Sequence, residues 1–82
     1  YYLYLIRSSK TKKFYVGTTP DLEKRFYSHN AGKNTATKYG VPWQLIYFEA
    51  YSTKADAIKR EQRLKHYGQA LRQIKQRLTL AD

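Results

Sequence analysis

The sequence contains no cysteine, so neither disulfides nor cysteine-ligated zinc contribute to its stability or chemistry. Acidic residues are scarce: six Asp and Glu stand against sixteen Lys and Arg, a formal net charge of +10. No apolar run approaches the roughly 20 residues of a membrane span, and no signal-peptide pattern is visible at the start. The chain begins at Tyr1 without a methionine and enters an apolar stretch at once, as expected of a trimmed sequence. There is no glycine-rich phosphate cradle, no Ser/His/Asp arrangement and no His-x-Glu motif with paired cysteines. The histidines, His29 and His66, stand too far apart to form a helical zinc pair.

What the sequence does have is basic charge and tyrosine. A domain this basic meets a polyanion, and nucleic acid is the leading partner. Charge spent only on solubility is the plain alternative. Membrane-surface binding fits less well, because the cations are spread over several elements instead of lining one amphipathic helix. Nine tyrosines, three phenylalanines and one tryptophan supply the bulk of a small core. A buried tyrosine hydroxyl wants a partner, so this many tyrosines suggest work beyond filling space. The 82 residues fit a single domain spanning the whole chain, 1–82, and nothing in them points outside the cytoplasm.

The pattern predicts an order β-β-α-β-α-α, an α/β sandwich around a small, mostly antiparallel sheet of three strands. Tyr1 to Ile6 and Phe14 to Thr18 carry strand signals around the basic turn RSSKTKK and form a hairpin. Thr19-Pro20-Asp21 opens a first helix, with Thr19 at its N-cap; it runs to about Asn30, with Gly32 as the stop. Trp43 to Tyr51 is the third strand. It is apolar on both alternating sets, which places it inside the sheet. Ser52 or Thr53 caps a second helix reaching about Tyr67, and Tyr67, Leu71, Ile74 and Leu78 form the apolar stripe of a third.

Several charged residues stand out of place on this scaffold. In the first helix Leu22 and Phe26 mark the buried side, and Arg25 and His29 fall within about 60° of Leu22. For Arg25 a structural salt bridge and a functional cation are both open, as are a satisfied surface position and a functional one for His29. In the second helix Ile58 and Leu64 define the apolar arc, with Glu61 midway between them and Lys59, Arg60 and Arg63 on more exposed sides. Asp21 and Asp56 sit at helix N-termini and Asp82 at the chain end, but Glu61 has no such explanation. Its carboxylate calls for a cation such as Arg25, or for a metal ion, and spacing does not choose between them.

The segments YLY at Tyr2–Tyr4, YVG at Tyr15–Gly17, DLEKRFYSHNAGK from Asp21, PW at Pro42–Trp43 and ADAIKREQRLK from Ala55 together resemble the GIY-YIG nuclease domain. The likeness extends from Tyr2 to about Lys65 and is closest to the small stand-alone bacterial members of that family. It implies an endonuclease that hydrolyses DNA phosphodiester bonds with one divalent metal ion, Mg²⁺ or Mn²⁺. It implies further that Tyr4, Tyr15, Arg25 and His29 are catalytic and that Glu61 is the metal ligand. Tyr2 replaces the glycine of the first motif, Thr18 stands where excision-repair members carry lysine, and no asparagine follows Glu61.

On this reading Arg25 offers a forked donor to the phosphate. Tyr4 is the candidate general base, its phenol brought down from a pKa near ~10 by surrounding positive charge. Tyr15 positions water or phosphate beside it, and His29 shares the proton or orients Tyr4. Lys33, Lys38, Arg60 and Arg63 attract the DNA backbone without reading bases, so specificity is weak or directed by DNA structure. A competing reading from a different class is a non-catalytic nucleic-acid-binding module that stacks bases on a basic, tyrosine-rich surface.

Overall fold

The computed structural model describes residues 1–78, so Asp82 lies outside the described residues. The elements are β1 (Tyr2–Ser8), β2 (Phe14–Thr19), α1 (Leu22–Asn30), a short 3-10 turn (Lys38–Gly40), β3 (Trp43–Ala50), α2 (Lys54–His66) and α3 (Gly68–Arg77). The three strands form one antiparallel sheet in the order β2-β1-β3. The expected α+β architecture and its element order are therefore what the chain adopts.

The expectation that the third strand sits inside the sheet is wrong. β1 is the central strand, with Leu3 to Ile6 all buried, and β3 is an edge. The double apolar pattern of β3 has a different cause. Leu5 pairs with Tyr47 but Ile6 pairs with Leu45, so Ile46 is an extra residue at a β-bulge. A bulge switches which alternate residues face each side. Phe48, opposite Tyr4, and Leu45 share one face, whereas Ile46, Tyr47 and Glu49 serve the other.

Each face of the sheet is covered separately. Leu3, Leu5 and Val16 pack with Leu64 of α2 and Ile74 of α3, while Tyr4, Ile6 and Trp43 pack with Leu22 and Phe26 of α1. The apolar stripe of α3 comprises Ala70, Leu71 and Ile74, with Leu78 just past its end. Tyr67 does not belong to it: the residue forms the N-cap of α3 and is 67% exposed.

The caps fix where α1 and α2 begin and end. Asp21, not Thr19, is the N-cap of α1; its carboxylate accepts from the Lys24 amide at 3.0 Å, and Thr19 remains the last residue of β2. At the other end Gly32, with φ +73°, donates to the His29 carbonyl, and Lys33 donates to Ser28. This is a Schellman arrangement, which favours glycine because it needs positive φ. Thr53 caps α2, accepting from the Asp56 amide at 3.1 Å while its hydroxyl bonds the Asp56 carboxylate at 2.9 Å.

Candidate active site

The site grows from the register of the first hairpin. Tyr4 pairs with Gly17 and Ile6 with Tyr15, so Tyr4, Tyr15 and Gly17 share the face that α1 covers. Tyr4 is 1% exposed, and its ring lies over Gly17. A methyl group at position 17 would overlap the Tyr4 hydroxyl and stand 2.6 Å from Cζ. Glycine is required there by space, not by backbone angle.

His29 completes a ring cluster. Its Nε2 lies 2.7 Å from the Tyr4 hydroxyl, and its ring centroid is 5.6 Å from that of Tyr4 and 5.3 Å from that of Tyr15. The centroids of Tyr4 and Tyr15 are 6.5 Å apart. His29 is fully buried, contrary to a surface position, and its Nδ1 meets the Thr37 hydroxyl at 2.7 Å.

The loop after α1 is tied down to make this contact. The Asn30 side chain both donates to and accepts from the backbone of Trp43, at 3.0 and 2.6 Å. The Trp43 indole donates to the Thr37 carbonyl at 2.8 Å, and the Ser8 hydroxyl donates to the Gly40 carbonyl at 2.6 Å.

The charges around Tyr4 come from two helices. Burial pushes the Tyr4 phenol up to about 12, opposed by the nearby Arg25 guanidinium and reinforced by Tyr15 and Glu61. The expectation that positive charge would bring this phenol down is thus reversed in the free protein, because desolvation outweighs Arg25. Burial also lowers the His29 pKa below the ordinary 6.5, and Arg25 lowers it further. The ring is held neutral. Arg25 is half-buried and lines an open groove of about 340 Å³ with Thr19, Pro20, Asp21, Lys24 and Ser28.

Glu61 approaches from α2. Because β2 is an edge strand, a helix packed on one face can lend side chains to a site centred on the other. The Glu61 carboxylate is 20% exposed and pairs with Lys65 at 3.2 Å, one turn on. The Lys65 Nζ in turn lies 5.7 Å from the Tyr15 ring centroid. The charge of Glu61 is felt at Tyr4, but its ion-pair partner is Lys65 and not Arg25. No cluster of three or more His, Cys, Asp and Glu is present among the described residues. A lone carboxylate of this kind fits a small hard cation that keeps most of its water, such as Mg²⁺, and does not fit a dehydrated zinc or calcium cage.

The remaining candidates lie apart from this cluster. Lys33 and Lys38 are exposed in the loop after α1, and the Lys38 Nζ sits 5.0 Å from the exposed Tyr39 ring centroid. Arg63 is exposed on α2 and lines a groove with Lys59, His66 and Tyr67. Arg60, expected among the phosphate-binding cations, has its guanidinium committed to Glu49 at 2.9 and 3.1 Å. Glu49 also accepts from Tyr47 and Tyr51 at 2.6 and 2.5 Å. Burial alone would raise the Glu49 pKa; the bonds from Arg60 and the two tyrosines outweigh it and hold the carboxyl low. The Glu49 hub and Thr37 were not singled out in the sequence, although Glu49 stands alternate to two tyrosines in YFEAY.

The model of the GIY-YIG catalytic domain matches residues 1–78. A UPF0213 protein of Staphylococcus haemolyticus is 36% identical over 80 residues, which cover 94% of this chain and 96% of that one. UPF0213 proteins of Staphylococcus saprophyticus and Haloquadratum walsbyi are 38% and 37% identical, each over 68 residues and 82% of this chain, covering 82% and 75% of their own lengths. No solved structure gives a significant match. With the ordered motifs around Tyr4, Tyr15, Arg25 and Glu61, these matches establish that the chain belongs to the GIY-YIG domain family, alongside its small stand-alone members.

Proposed function

We propose that this chain is a metal-dependent endonuclease that hydrolyses DNA phosphodiester bonds with weak or structure-directed specificity, residues 1–82 forming one catalytic domain. Membership of the family supports a nuclease-type activity on nucleic acid and the use of a divalent metal ion. The observation that carries the proposal is the Tyr4 hydroxyl itself: bonded to His29 at 2.7 Å and acted on by the opposed charges of Arg25 and Glu61. A purely structural buried tyrosine needs one hydrogen-bond partner for its hydroxyl but not charged groups of opposite sign beside it.

In the proposed reaction a water oxygen bonds to phosphorus, the bond from phosphorus to the 3′ oxygen breaks, and the leaving oxygen gains a proton. Tyr4 is the general base: as the phenolate, its own proton released to solvent, it takes a proton of the attacking water, and the leaving oxygen takes its proton from solvent. Arg25 holds a nonbridging phosphate oxygen through its forked donor, and its charge lowers the cost of a phenolate at Tyr4. His29 fixes the Tyr4 oxygen, and Tyr15 forms the adjoining wall. Glu61 holds the ion, Mg²⁺ or Mn²⁺, which when bound supplies charge stabilisation to the phosphate and leaving oxygen. Lys33, Lys38 and Arg63 draw in the backbone, a contribution that carries no sequence information.

The test is the nicking of supercoiled plasmid by the purified chain. Open circles are expected with Mg²⁺ or Mn²⁺ and none with EDTA. DNA binding with no nicking under either ion would favour the binding-module reading instead.

A further inference from the structure

Ser8 and Gly40, 32 positions apart, join two exposed loops into one bonded unit. The buried Ser8 hydroxyl donates to the Gly40 carbonyl at 2.6 Å and accepts from the Lys10 and Thr11 amides at 3.1 and 2.9 Å. The Ser9 amide donates to the Pro42 carbonyl at 2.9 Å, and the Ser8 amide donates to the Lys13 carbonyl at 2.9 Å. Gly40 is pinned from its other side, because a methyl group there would stand 2.5 Å from the Trp43 ring. The hairpin turn RSSKTKK and the 3-10 turn after α1 are therefore held as a single platform.

This platform presents cations and one aromatic ring to solvent. Lys10, Lys12, Lys13, Lys38 and Tyr39 are all exposed, Tyr39 at 76%. The Lys38 Nζ stands 5.0 Å from the Tyr39 ring centroid, and no other ring packs on Tyr39 among the described residues. Neither loop contains an acidic residue. Lys12 carries φ +66°, in the left-handed region where a side chain costs backbone energy that glycine avoids. Such residues gather at functional sites. Charge spent on solubility needs no fixed loop, no strained lysine and no exposed ring among the lysines.

Both loops run directly into the candidate site. Tyr15 follows Lys13 by two residues, and Thr37, bonded to His29, is the N-cap of the turn that carries Tyr39. Lysines attract phosphates of paired and unpaired strands alike, but an aromatic ring stacks on a base only where the base face is uncovered. Within a duplex, neighbouring pairs cover those faces. We propose that the platform binds an unpaired stretch of nucleic acid: Tyr39 stacks on one base, while Lys10, Lys12, Lys13 and Lys38 hold the flanking phosphates. The contact lies in the loops and not on the sheet, so it leaves Tyr4 and Glu61 free for chemistry. The contact stands on its own; that it directs cleavage toward DNA with unpaired bases rests on the nuclease reading.

The test is fluorescence anisotropy of the full chain in EDTA, with labelled oligothymidylate and a blunt duplex of mixed sequence as probes. Tyr39→Ala should weaken binding to oligothymidylate at least about fivefold, the lower end of what one stacked base contributes. Its duplex affinity should stay within about twofold of the parent, and Tyr39→Phe should bind both probes as the parent does. Lys12→Gly should reduce the salt slope on oligothymidylate by about 0.7, the weight of one phosphate contact on a single strand. Its melting temperature should hold or rise, because glycine accepts the positive φ without strain. Parental binding of oligothymidylate by Tyr39→Ala would overturn the proposal, as would an equal loss on the duplex or a parental salt slope in Lys12→Gly. A parent that binds as described but nicks no plasmid with metal would count against the nuclease reading alone. A parent that nicks plasmid, beside a Tyr39→Ala variant with parental single-strand affinity, would count against the platform alone.

Discussion

The Nε2 atom of His29 lies 2.7 Å from the Tyr4 hydroxyl, joining residues 25 positions apart across the packing of α1 on β1. Both groups are buried, so neither can exchange this bond for water without local opening. The contact therefore couples the geometry of the candidate site to the docking of α1, and a change that moves either residue should be felt both as stability and as chemistry.

Gly17→Ala tests that coupling without altering any polar group. The new methyl meets the ring and hydroxyl of Tyr4, and the central strand gives the ring no free space to retreat into. Overpacking of this kind costs about 1–3 kcal/mol. Urea denaturation should show a loss in that range, and the Tyr4 and His29 ring signals should shift in NMR spectra. An unchanged midpoint with unchanged ring signals would mean that the close approach is absent in solution.

The buried His29 gives stability a defined acid limb. Its folded pKa is depressed, first by burial and then by Arg25, so between that value and the ordinary 6.5 the unfolded chain binds the proton and the native state does not. The contribution is complete above about 6.5 and is lost as pH falls through the depressed folded value. Melting temperature should therefore drop with acid below 6.5, and more steeply in the parent than in His29→Gln, which cannot titrate. Parallel curves for the two proteins would contradict the burial of a neutral ring.

Glu49 should behave as scaffold. It holds Arg60, Tyr47 and Tyr51 together on the face away from Tyr4, with side-chain exposures of 18% for Glu49 and 25% for Arg60. Breaking a fully buried pair costs about 3–5 kcal/mol, and this one, partly open to water, should lose less, on the order of 1–2 kcal/mol. Glu49→Gln is thus expected to lower the unfolding free energy by about that amount while leaving metal-dependent DNA cleavage within about twofold of the parent. Cleavage lost in a folded Glu49→Gln would place catalytic weight on the wrong side of the sheet.

The sequence shows what local periodicity and motif order encode, and misses what only tertiary pairing creates. Helix α1 and its glycine stop were legible because the helical period and positive φ are properties of a few adjacent residues, although the N-cap is Asp21 and not Thr19. The edge position of β3 was not, since the bulge at Ile46 mimics in one dimension the pattern of a strand covered on both sides. Arg25, His29 and Glu61 attracted notice as polar residues near apolar arcs. Their actual neighbours could not be read that way: Lys65 holds Glu61, and Thr37 holds His29 through a loop whose shape depends on Asn30 and Trp43. Arg60 looked like a free cation because its partner lies on a strand rather than on its own helix.

Glu61→Gln is the most direct test of the central claim, because the substitution keeps size and removes only the charge proposed to hold the metal. Its present ion pair with Lys65 is an exposed i,i+4 contact worth a few tenths of a kcal/mol, so the melting temperature should barely move. DNA affinity, measured by anisotropy at fixed salt, should stay the same or rise with the loss of a negative charge. Cleavage of plasmid in Mg²⁺ or Mn²⁺ should fall by about a hundredfold or more, in line with a lost electrostatic contribution of roughly 3 kcal/mol or above. Full cleavage by a folded Glu61→Gln, at the same ion concentration as the parent, would contradict the assignment of Glu61 as the metal-binding carboxylate and with it this account of the site.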